Sequence, residues 1–183
     1  MRNFEINVLE QYWIDKIPNN VTDLCSHGLL SIKVNDVIIT GEHDKDWTLS
    51  TAGLTLLRTL NNNFISENNH YPLIQHCGQL GMIGCPIHIT WDVFHNEENV
   101  VLKNFEKLLT TNENDVISFK NLEITLPIIK YRREVVRFAD SIKNFFIKAK
   151  KEILDNYTQN EYESFWNEFD RLLENNRKKL HHP

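Results

Sequence analysis

The chain has 183 residues, 41% hydrophobic and 25% charged, with a formal net charge of −5. Those values fit one globular domain large enough to bury its own core. They exclude a fibrous or low-complexity chain, and no apolar run approaches the roughly 18 residues of a membrane span. The charge is uneven: residues 1–129 carry 8 Lys and Arg against 16 Asp and Glu, and residues 130–183 carry 12 against 9. An acidic body disfavours non-specific nucleic-acid binding, because phosphates need a cationic surface. The basic excess reads as solvated helix faces.

In chain order, Phe4 to Leu9 alternates as a first strand. Pro18-Asn19-Asn20 marks a turn. Leu29 to Thr40 reads as a tight hairpin about Asn35-Asp36, two residues that tolerate positive φ. A polar loop, Glu42 to Asp46, precedes Trp47. Thr48 or Ser50 then caps a helix near 50–63 whose stripe is Leu54, Leu57, Leu60 and Phe64. Gly53 should weaken that helix by about 1 kcal/mol relative to Ala.

Pro72 to Cys77 reads as a short strand. Ile87 to His95 has a clean period of two, with Ile87, Ile89, Trp91 and Val93 on one face and His88, Thr90, Asp92 and Phe94 on the other. Asn96 to Asn99 turns the chain into Val100–Phe105, and Val116 to Leu126 supplies one or two more strands. From Pro127 the period becomes 3.6, with a stripe of Val135, Phe138, Ala139, Ile142, Phe145, Phe146, Ala149 and Ile153. Thr158-Gln159-Asn160-Glu161 is a capping box for a second helix that buries Tyr162, Phe165, Trp166, Phe169, Leu172 and Leu173. Residues 177–183 should fray. The expected fold is α+β: a single domain over 1–183, a largely antiparallel sheet with one inserted helix, and two C-terminal amphipathic helices packed on one face.

The densest chemistry lies in His76 to His88, which holds two of three cysteines, two of eight histidines and three of six glycines. Zinc accepts Cys and His in tetrahedral sites, and His76, Cys85 and His88 are the metal-ligand candidates. Against a metal, the chain has no paired C-x-x-C. His76 and Cys77 are also neighbours and on a strand would point to opposite faces. Free Cys is commonly buried as a small hydrophobe, so the reading is core thiols, no metal and no cofactor. No family signature marks a catalytic cysteine, and Gly78, Gly81 and Gly84 lack the context of a phosphate loop. Three cysteines without a disulfide spacing, and an N-terminus lacking an apolar signal region, lead to a reducing cytoplasm as the expected location.

Four stretches, Ser31 to Ile39, Asp46 to Leu60, Ile89 to Val93 and Tyr162 to Phe169, resemble small bacterial proteins of the immunity type encoded beside polymorphic toxins. The resemblance implies a non-enzymatic cytoplasmic protein that binds a basic cognate toxin and neither nucleic acid nor membrane. Complementary charge speeds such encounters, which makes Glu42, Asp44, Asp46, Glu97 and Glu98 the partner-binding candidates. The alternatives are a small-ligand or metal-dependent enzyme built on His76–His88, and a homo-oligomeric regulatory protein.

Overall fold

The computed structural model describes residues 3–69, 71–80 and 82–181. The fold is α+β, with its strands divided between two antiparallel sheets and a small hairpin, and with three helices. In the first sheet β1 (Phe4–Tyr12) pairs along its length with β2 (His27–Val34). The register shifts between Val8 and Glu10, which makes Leu9 a bulge. The bulged strand presses the Glu10 carbonyl onto Gly28, where an added Cβ would lie 1.9 Å from that oxygen. Asn35, at φ 53°, closes the turn into β3 (Val37–Thr40) as the sequence implied. The two-residue β4 (Trp47–Thr48) pairs with β2 at His27 and Gly28.

Helix α1 (Leu49–Thr59) follows directly, one turn shorter than the apolar stripe suggested. Phe64 is not on it. That residue bridges to Val93, with both backbone N–H groups donating across (2.9 and 2.8 Å), and so extends the second sheet. Gly53 is a close-approach position: a Cβ there would lie 2.8 Å from the Phe169 ring and 2.9 Å from Ile142 Cδ1. Its helix-weakening effect is therefore set against the packing of α1 on the two later helices.

The second sheet is built on a long hairpin, β8 (His88–Asn96) and β9 (Asn99–Leu108). The short β5 (Ile74–Gln75) adds to β8, and β10 (Ile117–Ser118) and β11 (Ile124–Pro127) add to β9. Both faces of β8 are covered: Ile89 through Val93 are all buried, so its polar-looking face is not a water face. Asn104, at φ 55°, takes up the extra β9 residue of a bulge opposite Trp91. Between β5 and β8 the chain forms a separate hairpin, β6 (Gly78–Gln79) and β7 (Met82–Ile83). Gly81 lies outside the described residues, as do residues 182–183 of the stretch expected to fray.

Pro127 ends β11 and leads into α2 (Ile128–Phe146), whose buried stripe runs from Tyr131 to Phe146. Ala149 and Ile153 lie beyond its end but still pack partly on the core. Helix α3 (Asn156–His181) is capped by Asp155, whose Oδ1 accepts from Thr158 N at 2.8 Å, rather than by Thr158 itself. It also stays helical through residues expected to fray. Asn176, fully buried, accepts from Arg132 and donates to Leu172 O, which ties α3 to α2. The two sheets and α2 meet where Phe4 contacts both Trp91 (5.8 Å) and Tyr131 (5.5 Å). Tyr131 is fully buried and satisfied by Thr59 Oγ1 at 2.8 Å.

Candidate metal centre

Strand β5 ends at Gln75, and the chain bends at His76 and Cys77 before β6 begins. The hairpin then returns: Gly78 faces Ile83, and Gly84 N donates to Cys77 O at 2.9 Å. Cys85 and Pro86 form a second bend before His76 N reaches Ile87 O at 3.0 Å. The bends defeat the alternation expected of adjacent residues. One ring nitrogen of His76 and the Sγ atoms of Cys77 and Cys85 all lie within 4.8 Å of one another. Cys85 Sγ sits 3.5 Å from His76 Nδ1.

Local sequence makes this convergence possible. Gly78 has φ 148°, a conformation nearly reserved for glycine. At Gly84 a Cβ would lie 2.8 Å from Cys77 Sγ and 3.1 Å from Cys77 C and Gly78 N. The thiol of Cys77 thus occupies the space a side chain at 84 would fill. Thr48 Oγ1 donates to His76 O (3.1 Å), and Thr51 Oγ1 donates to Leu80 O (2.7 Å). Leu80 N donates to Cys25 Sγ at 3.0 Å. These bonds clamp the hairpin to the start of α1.

The three cysteines divide in role. Cys25 is 2% exposed and is the interior thiol the sequence led one to expect, its pKa raised by burial. Cys77 and Cys85 are half-buried, with Cys85 packed against the edge of the core. Burial, and then the neighbouring Cys85 thiol, push Cys77 up to about 11. His76 is shifted the other way, by burial first and then by Lys45 and His27, with Asp46 opposing. A depressed imidazole pKa leaves the neutral ring that metals bind.

Around the triad runs a polar row. Tyr12 pairs with His27 across β1 and β2, and His27 with Thr48 across β2 and β4. His27 Nε2 lies 3.5 Å from Asp23 Oδ2, and Asp23 also accepts from Ile14 N (2.7 Å) and Cys25 N (3.1 Å). Burial alone would raise Asp23, but His27 and these two N–H groups hold it below the usual carboxylate range.

Of the ligand candidates drawn from sequence, His76 and Cys85 are brought together, and His88 is not part of the group. Its Nδ1–H donates to Pro86 O at 2.6 Å. Cys77 joins in its place. The signal for it was a glycine just inside each cysteine, Cys77-Gly78 and Gly84-Cys85, the mark of a hairpin closed by two thiols. Asp92, noted beside His88 on one strand face, is a buried structural carboxylate that accepts from Ser66 N and Oγ and from Asn104 Nδ2.

The acidic candidates fall into two separate places. Asp44 accepts from Lys107 Nζ at 3.0 Å and Gly41 N at 3.2 Å, and Asp46 is exposed near Tyr12, whose pKa it helps to raise after burial. Glu42 is exposed beside His43. Glu97 and Glu98 are exposed in the β8–β9 turn. Lys107 and Asn99 mark opposite ends of β9, so the two acidic loops are separated by about 27 Å of strand. Near the triad, a cleft of about 440 Å³ opens between α1, residues 71–80 and α3, with Leu80, Tyr71, Tyr157 and Phe165 in its walls. Arg58 spans its rim, donating to both carboxylate oxygens of Glu168 at 2.8 and 2.6 Å.

Comparisons with protein-family models, with curated proteins and with solved structures find no match to this chain.

Proposed function

We propose that the protein binds one thiophilic divalent cation, zinc in the first instance, through His76, Cys77 and Cys85. The observation that carries this reading is the 3.5 Å separation of Cys85 Sγ from His76 Nδ1. With Zn–S near 2.3 Å and Zn–N of 2.0–2.1 Å, the S···N edge of a tetrahedron is about 3.6 Å. This pair thus already stands at ligand spacing, with Cys77 Sγ within 4.8 Å of both. Two thiolates and an imidazole also form a donor set that selects zinc over magnesium or calcium. Among the described residues no fourth His, Cys, Asp or Glu joins the group. Three protein ligands would leave a fourth position for water or a bound molecule, the open arrangement of reactive zinc sites.

Titration with cobalt(II) tests the reading. Sulfur-to-cobalt charge-transfer bands in the near ultraviolet, saturating at one equivalent and displaced by zinc, are expected. Cobalt bound without those bands would exclude the two thiols.

A second reading, a protein-binding module of the immunity type, is favoured by the exposure of Glu97 and Glu98 on a protruding turn and of Glu42 at the far end of β9. Asp44 is less available to a partner because Lys107 already holds it. Under this reading, charge reversal at Glu97 and Glu98 slows association with a basic partner and flattens its salt dependence. Unaltered association kinetics would remove that turn from consideration.

A further inference from the structure

We propose that Cys77 and Cys85 also form an oxidisable pair, so that a hydroperoxide converts them to a disulfide and expels the metal. The inference rests on the metal-centre reading and assigns its regulation. Three observations carry it. First, the two sulfurs share a site whose ligand atoms lie within 4.8 Å, and only these two of the three cysteines are reached by solvent, Cys25 being 2% exposed. Second, the hairpin geometry suits a disulfide. Cys77 is hydrogen-bonded across to Gly84, the residue preceding Cys85. A cross-strand spacing near 5.5 Å and one residue of rise near 3.4 Å place the two Cα atoms about 6.5 Å apart, within the upper part of the disulfide range. Third, the hairpin is held independently of any metal. Thr51 and Cys25 grip Leu80, and Thr48 grips the His76 carbonyl, so loss of the cation leaves the sulfurs facing one another.

The step balances as follows. One thiolate attacks the O–O bond of hydrogen peroxide, giving a sulfenic acid and hydroxide. The second thiolate displaces hydroxide from that sulfenic sulfur. The S–S bond forms as both metal–sulfur bonds break, the sulfurs together lose two electrons, and the peroxide becomes two hydroxide ions. The cation, its charge unchanged, is left with His76 as its one protein ligand and dissociates. Gln79 and Leu80, on the hairpin, also wall the cleft against α1 and α3, so the exchange alters one side of that cleft.

The test uses the full chain loaded with zinc and exposed to hydrogen peroxide. Released zinc is read with a chromophoric chelator, and the sulfur chemistry by intact mass and peptide mapping. The expected result is complete zinc release in step with the loss of two thiols of three, a Cys77–Cys85 disulfide with Cys25 untouched, and full reloading after a phosphine reductant. A Cys25→Ser variant behaves identically. Zinc retained, or released with sulfinic acids in place of a disulfide, overturns the proposal and leaves the metal centre standing. If the chain takes up no zinc at all, the centre is refuted, and the metal-free protein decides the pair. A Cys77–Cys85 disulfide upholds the pair, and its absence, or pairing with Cys25, overturns it.

Discussion

Replacing Gly84 with Ala probes the metal geometry without touching a ligand. Gly84 has an ordinary φ, so backbone strain does not enter. The new Cβ would lie 2.8 Å from Cys77 Sγ and 3.1 Å from two backbone atoms of the facing strand. Because the Thr48, Thr51 and Cys25 bonds hold the hairpin, the empty site relieves that overlap by turning the Cys77 thiol away. Metal binding needs the Cys77 thiol back beside His76 and Cys85, so the strain falls on the bound state. Overpacking of this kind costs about 1–3 kcal/mol. At 1.4 kcal/mol per tenfold, that is about a 5- to 150-fold loss of zinc affinity. Competition against a chromophoric chelator measures it, with circular dichroism and thermal unfolding as controls. Both controls should change little, because Gly84 is exposed and its hairpin lies outside the two main sheets. Unchanged affinity would refute the reasoning, since the Cys77 thiol then would not stand beside residue 84 when metal is bound.

Other outcomes follow from the same structure. Cys77→Ser should abolish tight zinc binding while His88→Ala leaves one zinc per chain, as elemental analysis of the two variants will report. Gly28→Ala should cost about 3 kcal/mol or more in a urea melt, because the Glu10 carbonyl 1.9 Å from the new Cβ has to move and the β1–β2 ladder with it. Asp23 and Asp44 both have folded pKa values below the ordinary carboxylate value. For each, burial acts upward and is outweighed, by His27 and backbone N–H groups at Asp23 and by Lys107 and the Gly41 N–H at Asp44. Their contribution to stability is therefore present above the unfolded pKa of about 3.9 and is lost as pH falls through the lower folded values. Asp23→Asn should flatten that acid limb in unfolding curves taken from pH 6 downward, and a limb of unchanged slope would argue against it. Tyr131→Phe should cost about 1 kcal/mol, since Thr59 Oγ1 keeps its bond to Leu56 O.

The parts of the fold legible in the sequence are those whose signal is local. Asn35-Asp36 needed no tertiary information to close β2 on β3, and the stripe from Val135 to Phe146 announced α2. What escaped depended on distant partners. Phe64 continued the helical period of Leu54, Leu57 and Leu60, but Val93 offered its backbone a ladder bond, and the chain left the helix to take it. The polar-looking face of β8 was buried because Ser66 and Asn104 arrive from elsewhere to satisfy Asp92. At the candidate centre, the sequence reading was core thiols without a metal, though its ligand candidates included two of the three residues that converge. It missed Cys77 because alternation assumes a straight strand, and two bends and a glycine at φ 148° make this one fold back. The acidic loops looked alike in composition, yet Lys107 draws Asp44 partly inward while Asp46, Glu97 and Glu98 stay exposed.

X-ray absorption at the zinc edge of the loaded protein tests the central claim most directly. Two sulfurs at about 2.3 Å, one imidazole nitrogen at about 2.0–2.1 Å and one further light atom are predicted. A shell containing only nitrogen and oxygen, or a single sulfur, would contradict the assignment of His76, Cys77 and Cys85 as one metal site.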